Sequence, residues 1–335
     1  MAKNIVVFSD GTGQEGGKGT NTNVYRLFNM IEDRTPDQVA FYDRGLGTGW
    51  RKFSGMAFGL GISKNIKECY HFVFENYQSG DEVFLFGFSR GAYTVRSLSG
   101  FLNLVGVLPK SRAELIDRAY RIYKIENKAK RLAAAEDFLS RHHTLSCPIR
   151  FIGVWDTVKA LGMPLRILNA LNPMKHKFHD HRLCENVKYG CHALSIDDER
   201  RAFHPTLWEE KDVRGGQKIE QVWFAGVHTD VGGGYKETGL ADITLDWMVK
   251  KAVAHGLRIY HNHKVKIHPD PDAMMHDSRA GLGKLYRRRQ RTWPLEGVKT
   301  VIHQSVRERT LDRNNLKNGY SPWILQHEPA VEPWK

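Results

Sequence analysis

Phe84-Leu85-Phe86-Gly87-Phe88-Ser89-Arg90-Gly91-Ala92 is the stretch on which the reading of this chain turns. Glu82-Val83-Phe84-Leu85-Phe86-Gly87 has the continuous apolar character of a buried strand, and Ala92 to Leu104 is apolar and free of Pro, as a buried helix would be. Between them stands Gly-x-Ser-x-Gly. The pentad alone is a weak signal; a strand directly before it and a helix directly after it give it meaning. A serine on so sharp a strand-to-helix turn is lifted into the cleft above the sheet. Gly87 and Gly91 leave room for the two backbones to cross, and the helix N-terminus sets a positive dipole where an oxyanion would develop. Ser89 is the candidate nucleophile.

Outward from this turn, strands alternate with helices. Ile5-Val6-Val7-Phe8, Val39–Tyr42, Ile149–Trp155 and Ile219–Ala225 read as strands. Residues 23–28, 62–77 and 242–255 read as helices, with Ile62, Ile66, Tyr70, Val73 and Tyr77 recurring at helical spacing. The alternation predicts an α/β fold: one mostly parallel sheet flanked by helices, of α/β-hydrolase type, with residues 1–335 as a single domain. Residues 107–145 are the candidate helical cap, an insertion near the active site, opened by a capping box of Ser111 and Glu114. Beyond about residue 265 the pattern weakens and Pro residues mark irregular chain.

A serine nucleophile needs a base and an acid that orients it, and in this fold class they follow in the order Ser, Asp or Glu, His. Asp156 stands at the C-terminal end of the strand ending at Trp155, and His228 follows the strand ending at Ala225. Strand ends are where ligands meet open α/β sheets. Two rivals remain at this stage: Asp230 as the acid, and His303 as the base. His228 ranks ahead because Gly232-Gly233-Gly234 follows it and marks a tight loop. The oxyanion hole would take one N–H from Arg90 and a second from Gly11 or Thr12, in the small-residue loop after the first strand.

Composition narrows the alternatives. The formal charge of +13 suggests an anionic partner such as a lipid surface, nucleic acid or an acidic small molecule. No apolar run approaches the roughly 20 residues of a membrane span, and the four-residue apolar stretch at Ile5–Phe8 is no signal peptide. Four cysteines make no disulfide scaffold, and a cytoplasmic setting is the default. Gly11 to Gly19 fails the phosphate-loop pattern at Thr12 and Gly19. His176, His179, His181, Cys184, Cys191 and His192 crowd together without a zinc spacing, so no metal or cofactor is expected. Asp197-Asp198-Glu199 with Arg200-Arg201 reads as a helix-end ion-pair cluster, and the run Lys284 to Arg291 as a solvated or headgroup-facing basic stretch.

An ordered set of segments resembles one family. It comprises Phe8-Ser9-Asp10-Gly11-Thr12, Thr22-Asn23-Val24, Tyr42-Asp43-Arg44-Gly45-Leu46-Gly47-Thr48 and the Gly87–Ala92 elbow. It continues with Val154-Trp155-Asp156-Thr157-Val158, His192 to Arg201, and Gly226-Val227-His228-Thr229-Asp230-Val231-Gly232-Gly233-Gly234-Tyr235. Together they are similar to the catalytic domain of the first class of type VI secretion lipase effectors. The resemblance implies a phospholipase working through a Ser-Asp-His triad, carried by Ser89, Asp156 and His228, and so favours Asp156 over Asp230. It implies a lipid or other acyl-ester substrate, and delivery by a non-classical secretion system as the alternative to a cytoplasmic location; beside a hydrolase reading, the charge of +13 points to an anionic membrane surface as partner rather than nucleic acid. An esterase on soluble esters, lactones or polyesters is the alternative within the enzyme class. A basic binding module without chemistry is the alternative outside it.

Overall fold

The computed structural model describes residues 2–11, 17, 19–45, 55–158, 182–211, 213, 215–293 and 295–334. It begins with β1 (Asn4–Ser9), whose Ile5-Val6-Val7-Phe8 run is completely buried on both faces, the usual state of a parallel strand covered by helices. The chain then forms α1 (Asn23–Phe28), β2 (Arg34–Thr35), β3 (Gln38–Asp43), α2 (Gly55–Asn76), β4 (Glu82–Phe88) and α3 (Arg90–Val105). A 3-10 turn leads into α4 (Ile116–Tyr123), α5 (Lys128–Arg141), β5 (Ile149–Trp155) and β6 (Val187–Ser195). The remainder supplies β7 (Lys218–Phe224), α6 (His228–Gly232), α7 (Gly239–Ala254), β8 (Val301–His303), α8 (Ser305–Glu308) and β9 (Ala330–Glu332).

These strands make one nine-stranded sheet in the order β2-β3-β1-β4-β5-β6-β7-β8-β9. All neighbours are parallel except β2, which pairs antiparallel with β3. The period of two sorts side chains to the two faces. Ile5, Val7, Val83 and Leu85 join α2 and α3 in one apolar cluster; Val6, Phe8, Phe84 and Phe86 join α1 and α7 in the other. The topology also places a crevice. From β1 the chain goes to β3 on one side and then crosses back to β4 on the other, so the connections leaving β1 and β4 diverge. Such a switch point, at the C-terminal strand ends, is where open α/β sheets take their ligands.

Residues 110–141 pack through Leu115, Ile116, Ala119, Tyr120, Tyr123 and Phe138 into the cluster that holds α2 and α3. The expected capping box does not form. Pro109 precedes a 3-10 turn with no side-chain cap, and Arg112 takes the Glu114 carboxylate at 2.5 Å. Two further departures concern strands. β6 was not apparent in the sequence, and the stretch beyond residue 265, expected to be irregular, contributes β8 and β9 to the sheet edge. Among the described residues no helix is long and apolar enough to cross a membrane.

Candidate active site

Ser89 is the single residue between β4 and α3, and its backbone lies at φ 57°, ψ −114°. A positive φ is costly for a residue with a side chain and persists only where the surroundings enforce it. Here the surroundings do. Ser89 N–H donates to the Trp155 carbonyl at 3.1 Å, and the glycines on either side permit crossings no other residue would. A Cβ on Gly87 would lie 2.6 Å from the Ala92 nitrogen, and one on Gly91 only 1.9 Å from the Ser9 carbonyl oxygen of β1. The elbow is thus wedged between the first turn of α3 and β1.

Asp156 directly follows β5, with φ 36°. His228 opens α6, with its backbone N–H on Asp198 Oδ2 at 3.2 Å and its ring flanked by Phe88 and Phe203 at centroid distances of 4.6 and 5.0 Å. The structure brings three of the expected residues into one line. His228 Nδ1 lies 2.6 Å from Asp156 Oδ2, and His228 Nε2 lies 2.8 Å from Ser89 Oγ. All three side chains are buried. With a carboxylate at Nδ1, the fitting tautomer carries its proton there and leaves Nε2 to accept from the serine hydroxyl.

The rivals lie elsewhere. Asp230 accepts from Val227 N–H and is bound to His276 Nδ1 at 2.6 Å; His303, on β8, faces Ser305 Oγ at 2.8 Å and stacks on Phe224. Burial, with Lys250 and Lys251 nearby, lowers the His303 imidazole to about 4. The pair Asp230–His303 is not formed, because each side chain already has a closer partner.

Of the expected oxyanion donors, Arg90 is the first residue of α3, so its backbone N–H belongs to the helix N-terminus. Gly11 flanks the nucleophile: a Cβ added there would sit 3.7 Å from Ser89 Cβ. Its N–H donates to Asp10 Oδ1 at 2.7 Å. Thr12 lies outside the described residues. Asp10 itself is buried under the site, where its Oδ2 accepts from Thr22 Oγ1 and Tyr42 Oη, both at 2.6 Å. Burial raises its carboxyl to about 6 against the pull of those hydrogen bonds.

Sequence reasoning missed the most direct partner of Asp156. Arg291 places Nη1 2.8 Å from Asp156 Oδ1 and Nη2 2.9 Å from Oδ2, and it also donates to the carbonyls of Ser195 and Phe203. The basic run at 284–291 is therefore not a uniformly solvated face: Arg291 is buried, and Arg288 pairs with Glu199. Burial by itself would raise the Asp156 carboxyl, but the Arg291 charge and the bonds from His228 and Arg291 outweigh it and hold it far below the ordinary carboxylate range. Nothing local distinguishes Arg291 from the arginines beside it. The acidic triple is an ion-pair cluster at a strand end rather than a helix end: Asp197 meets Arg313, Asp198 meets Arg200, and Glu199 meets Arg288 and Arg313. His192 instead accepts from Thr157 N–H at 3.1 Å, behind Asp156. His176, His179 and His181 lie outside the described residues, among which no three His, Cys, Asp or Glu side chains are grouped to hold a metal ion.

Similar proteins share parts of this chain. An uncharacterized protein of Saccharomyces cerevisiae is 27% identical over 228 residues, covering 60% of this chain and 32% of its own. The crystal structure of an uncharacterized protein from Pseudomonas aeruginosa has a TM-score of 0.49 at 15% identity, covering 81% of this chain and 50% of that one. A Tle1 effector bound to the VgrG spike of the type 6 secretion system has a TM-score of 0.37 at 18% identity, covering 71% and 52% of the two chains. The chain thus spans about a third of the yeast relative's length and about half of the two structural neighbours'. Residues 3–251 match the family described as the T6SS phospholipase effector Tle1-like catalytic domain, and the chain belongs to that family.

Proposed function

We propose that this protein is a serine ester hydrolase that cleaves acyl esters of lipids, phospholipids foremost. The observation that carries the reading is the unbroken hydrogen-bonded line Ser89–His228–Asp156, with Ser89 strained into the crevice at the switch point of the sheet. Ser89 Oγ attacks the ester carbonyl as His228 Nε2 takes its proton, and Asp156 holds the imidazole in the required tautomer and stabilises its charged form. The backbone N–H groups of Arg90 and Gly11 receive the oxyanion, Gly11 exchanging its bond to Asp10 for one to the substrate. His228 then protonates the leaving alcohol, and water attacks the acyl-serine with the proton passing back through His228 to Ser89.

Membership of a phospholipase effector family supports a lipid ester as substrate. So do the surroundings of the site. Tyr286, which packs on Phe203 beside His228, is preceded by Leu285, 64% exposed, and it shares a cavity of about 820 Å³ with Met274, 51% exposed. Exposed apolar groups close to a basic run suit an anionic lipid surface. The deciding comparison is wild type against Ser89→Ala on phosphatidylglycerol vesicles and on p-nitrophenyl butyrate, with fluorophosphonate labelling of both. Wild type should hydrolyse and be labelled, and Ser89→Ala should do neither. Hydrolysis that survives the substitution overturns the nucleophile. Vesicle binding without hydrolysis or labelling overturns the enzyme in favour of a binding module, and turnover of the soluble ester alone overturns the lipid substrate.

A further inference from the structure

Both oxygens of the Asp156 carboxylate are fully used. Oδ1 accepts from Ser195 N–H at 3.1 Å and Arg291 Nη1 at 2.8 Å; Oδ2 accepts from Arg291 Nη2 at 2.9 Å and His228 Nδ1 at 2.6 Å. The guanidinium and the imidazole therefore share one carboxylate, meeting at Oδ2, away from solvent. The fork is itself held by the carbonyls of Ser195 and Phe203, so it cannot swing away. Bidentate guanidinium–carboxylate pairing of this kind fixes orientation as well as charge.

We propose, on the strength of the triad reading above, that Arg291 is a positioning residue that neutralises Asp156 and thereby sets the pH above which the Asp156–His228 pair can take the proton of Ser89. Facing only the imidazole, a buried Asp156 would spend its whole negative charge on holding the imidazolium proton. With Arg291 on the same carboxylate, that charge is divided between the two partners, and the pair holds the shared proton less tightly. Removing the Arg291 charge makes the pair bind its proton more tightly whether the proton rests on His228 or on Asp156, because the two titrate as a unit.

The other charged groups around the pair are already committed. Asp198, at the end of β6, accepts the His228 backbone N–H and pairs with Arg200; Asp197 pairs with Arg313. Asp230 on α6 is held by His276. His192 on β6 is kept neutral, since burial and the nearby Arg96 lower it to about 3. The Phe88 and Phe203 rings on either side of His228 carry no charge. Arg291 is thus the cation in direct contact with Asp156 among the described residues, and it comes from beyond residue 251, where the family match ends. The segment after the matched region completes the site.

The test uses the full chain and its pH profile of kcat/KM on p-nitrophenyl butyrate, with fluorophosphonate labelling rates as a second readout. In Arg291→Gln the acid limb should rise by about one pH unit or more, lowering the rate about tenfold at pH values below the limb. Arg291→Lys, which keeps the charge but loses the fork, should hold the limb within about 0.3 unit of wild type while its plateau falls. An Arg291→Gln limb at the wild-type position, whatever the loss of rate, overturns the proposal and leaves Arg291 a structural brace. Should Arg291→Gln not fold, Arg291→Lys decides: a limb held in place supports the proposal, and one raised by about a unit despite the retained charge overturns it. Failure of the triad itself is separable, since it would show as wild type unlabelled by the fluorophosphonate.

Discussion

Gly91 and Gly100 both lie in α3, and adding one methyl group at each should have opposite consequences. At Gly91 the new Cβ would stand 1.9 Å from the Ser9 carbonyl oxygen, against 3.4 Å for the start of ordinary contact, a shortfall of 1.5 Å. The obstacle is backbone of β1, an interior strand hydrogen-bonded on both sides, so α3 must retreat instead. A retreat of that size carries Ser89 with it and breaks the 2.8 Å contact from Oγ to His228 Nε2. Overpacking against rigid surroundings costs about 1–3 kcal/mol or more, and a displacement of about 1 Å between reacting groups costs about 100-fold in rate. At Gly100 the nearest atom is the Tyr123 hydroxyl at 3.2 Å, so a side-chain tip rather than strand backbone has to shift, and by only a few tenths of an ångström. There the gain in helix propensity, up to about 1 kcal/mol, should prevail. Urea midpoints and kcat/KM on p-nitrophenyl butyrate measure both effects. Gly91→Ala should unfold at lower urea and lose about two orders of magnitude in rate; Gly100→Ala should be as stable as wild type or more so. A Gly91→Ala protein with wild-type midpoint and activity would refute the claim that the elbow is held in place by close approach of α3 to β1.

Asp10 predicts a pH effect on stability. Its carboxyl is raised from 3.8 to about 6 on folding, so the folded chain binds that proton more tightly, and the stabilisation is complete below about pH 4 and lost as pH rises through 6. The difference corresponds to about 3 kcal/mol. Unfolding free energies of wild type and Asp10→Asn should diverge by about that amount between pH 4 and 7, in favour of the variant at the upper end; a constant difference would contradict the burial argument. Leu285→Asp places a charge on the exposed apolar rim and should reduce phosphatidylglycerol-vesicle hydrolysis about tenfold more than soluble-ester hydrolysis. Equal loss on both substrates would remove Leu285 from the membrane-facing surface.

What could be read without the fold was local or punctuated by strand ends. The elbow announces itself because strand, Gly-x-Ser-x-Gly and helix are contiguous. Asp156 and His228 were legible because the first follows directly on an apolar strand and the second lies within four residues of the end of one, and the parallel sheet gathers such ends on one edge. β6 escaped notice because Lys188, Gly190 and His192 interrupt its apolar pattern, although all its residues except Lys188 and Tyr189 are buried in the sheet. β8 and β9 have three residues each, too few for a period of two to show.

The sequence by itself determined the class of sheet, the turn that strains Ser89 and the two strand ends that offer an acid and a base. Only the tertiary structure decided which histidine lies 2.8 Å from the serine, that Asp230 belongs to His276, and that one arginine of a basic run turns inward. The reason is the distance along the chain. Asp156 and Arg291 are 135 residues apart, and the field that draws this arginine inside exists only once β5, β6 and the C-terminal segment have packed. A run of like residues carries no local mark of which member will meet a buried carboxylate. That selection is made by packing, which leaves one guanidinium opposite Asp156 and its neighbours to other partners or to water.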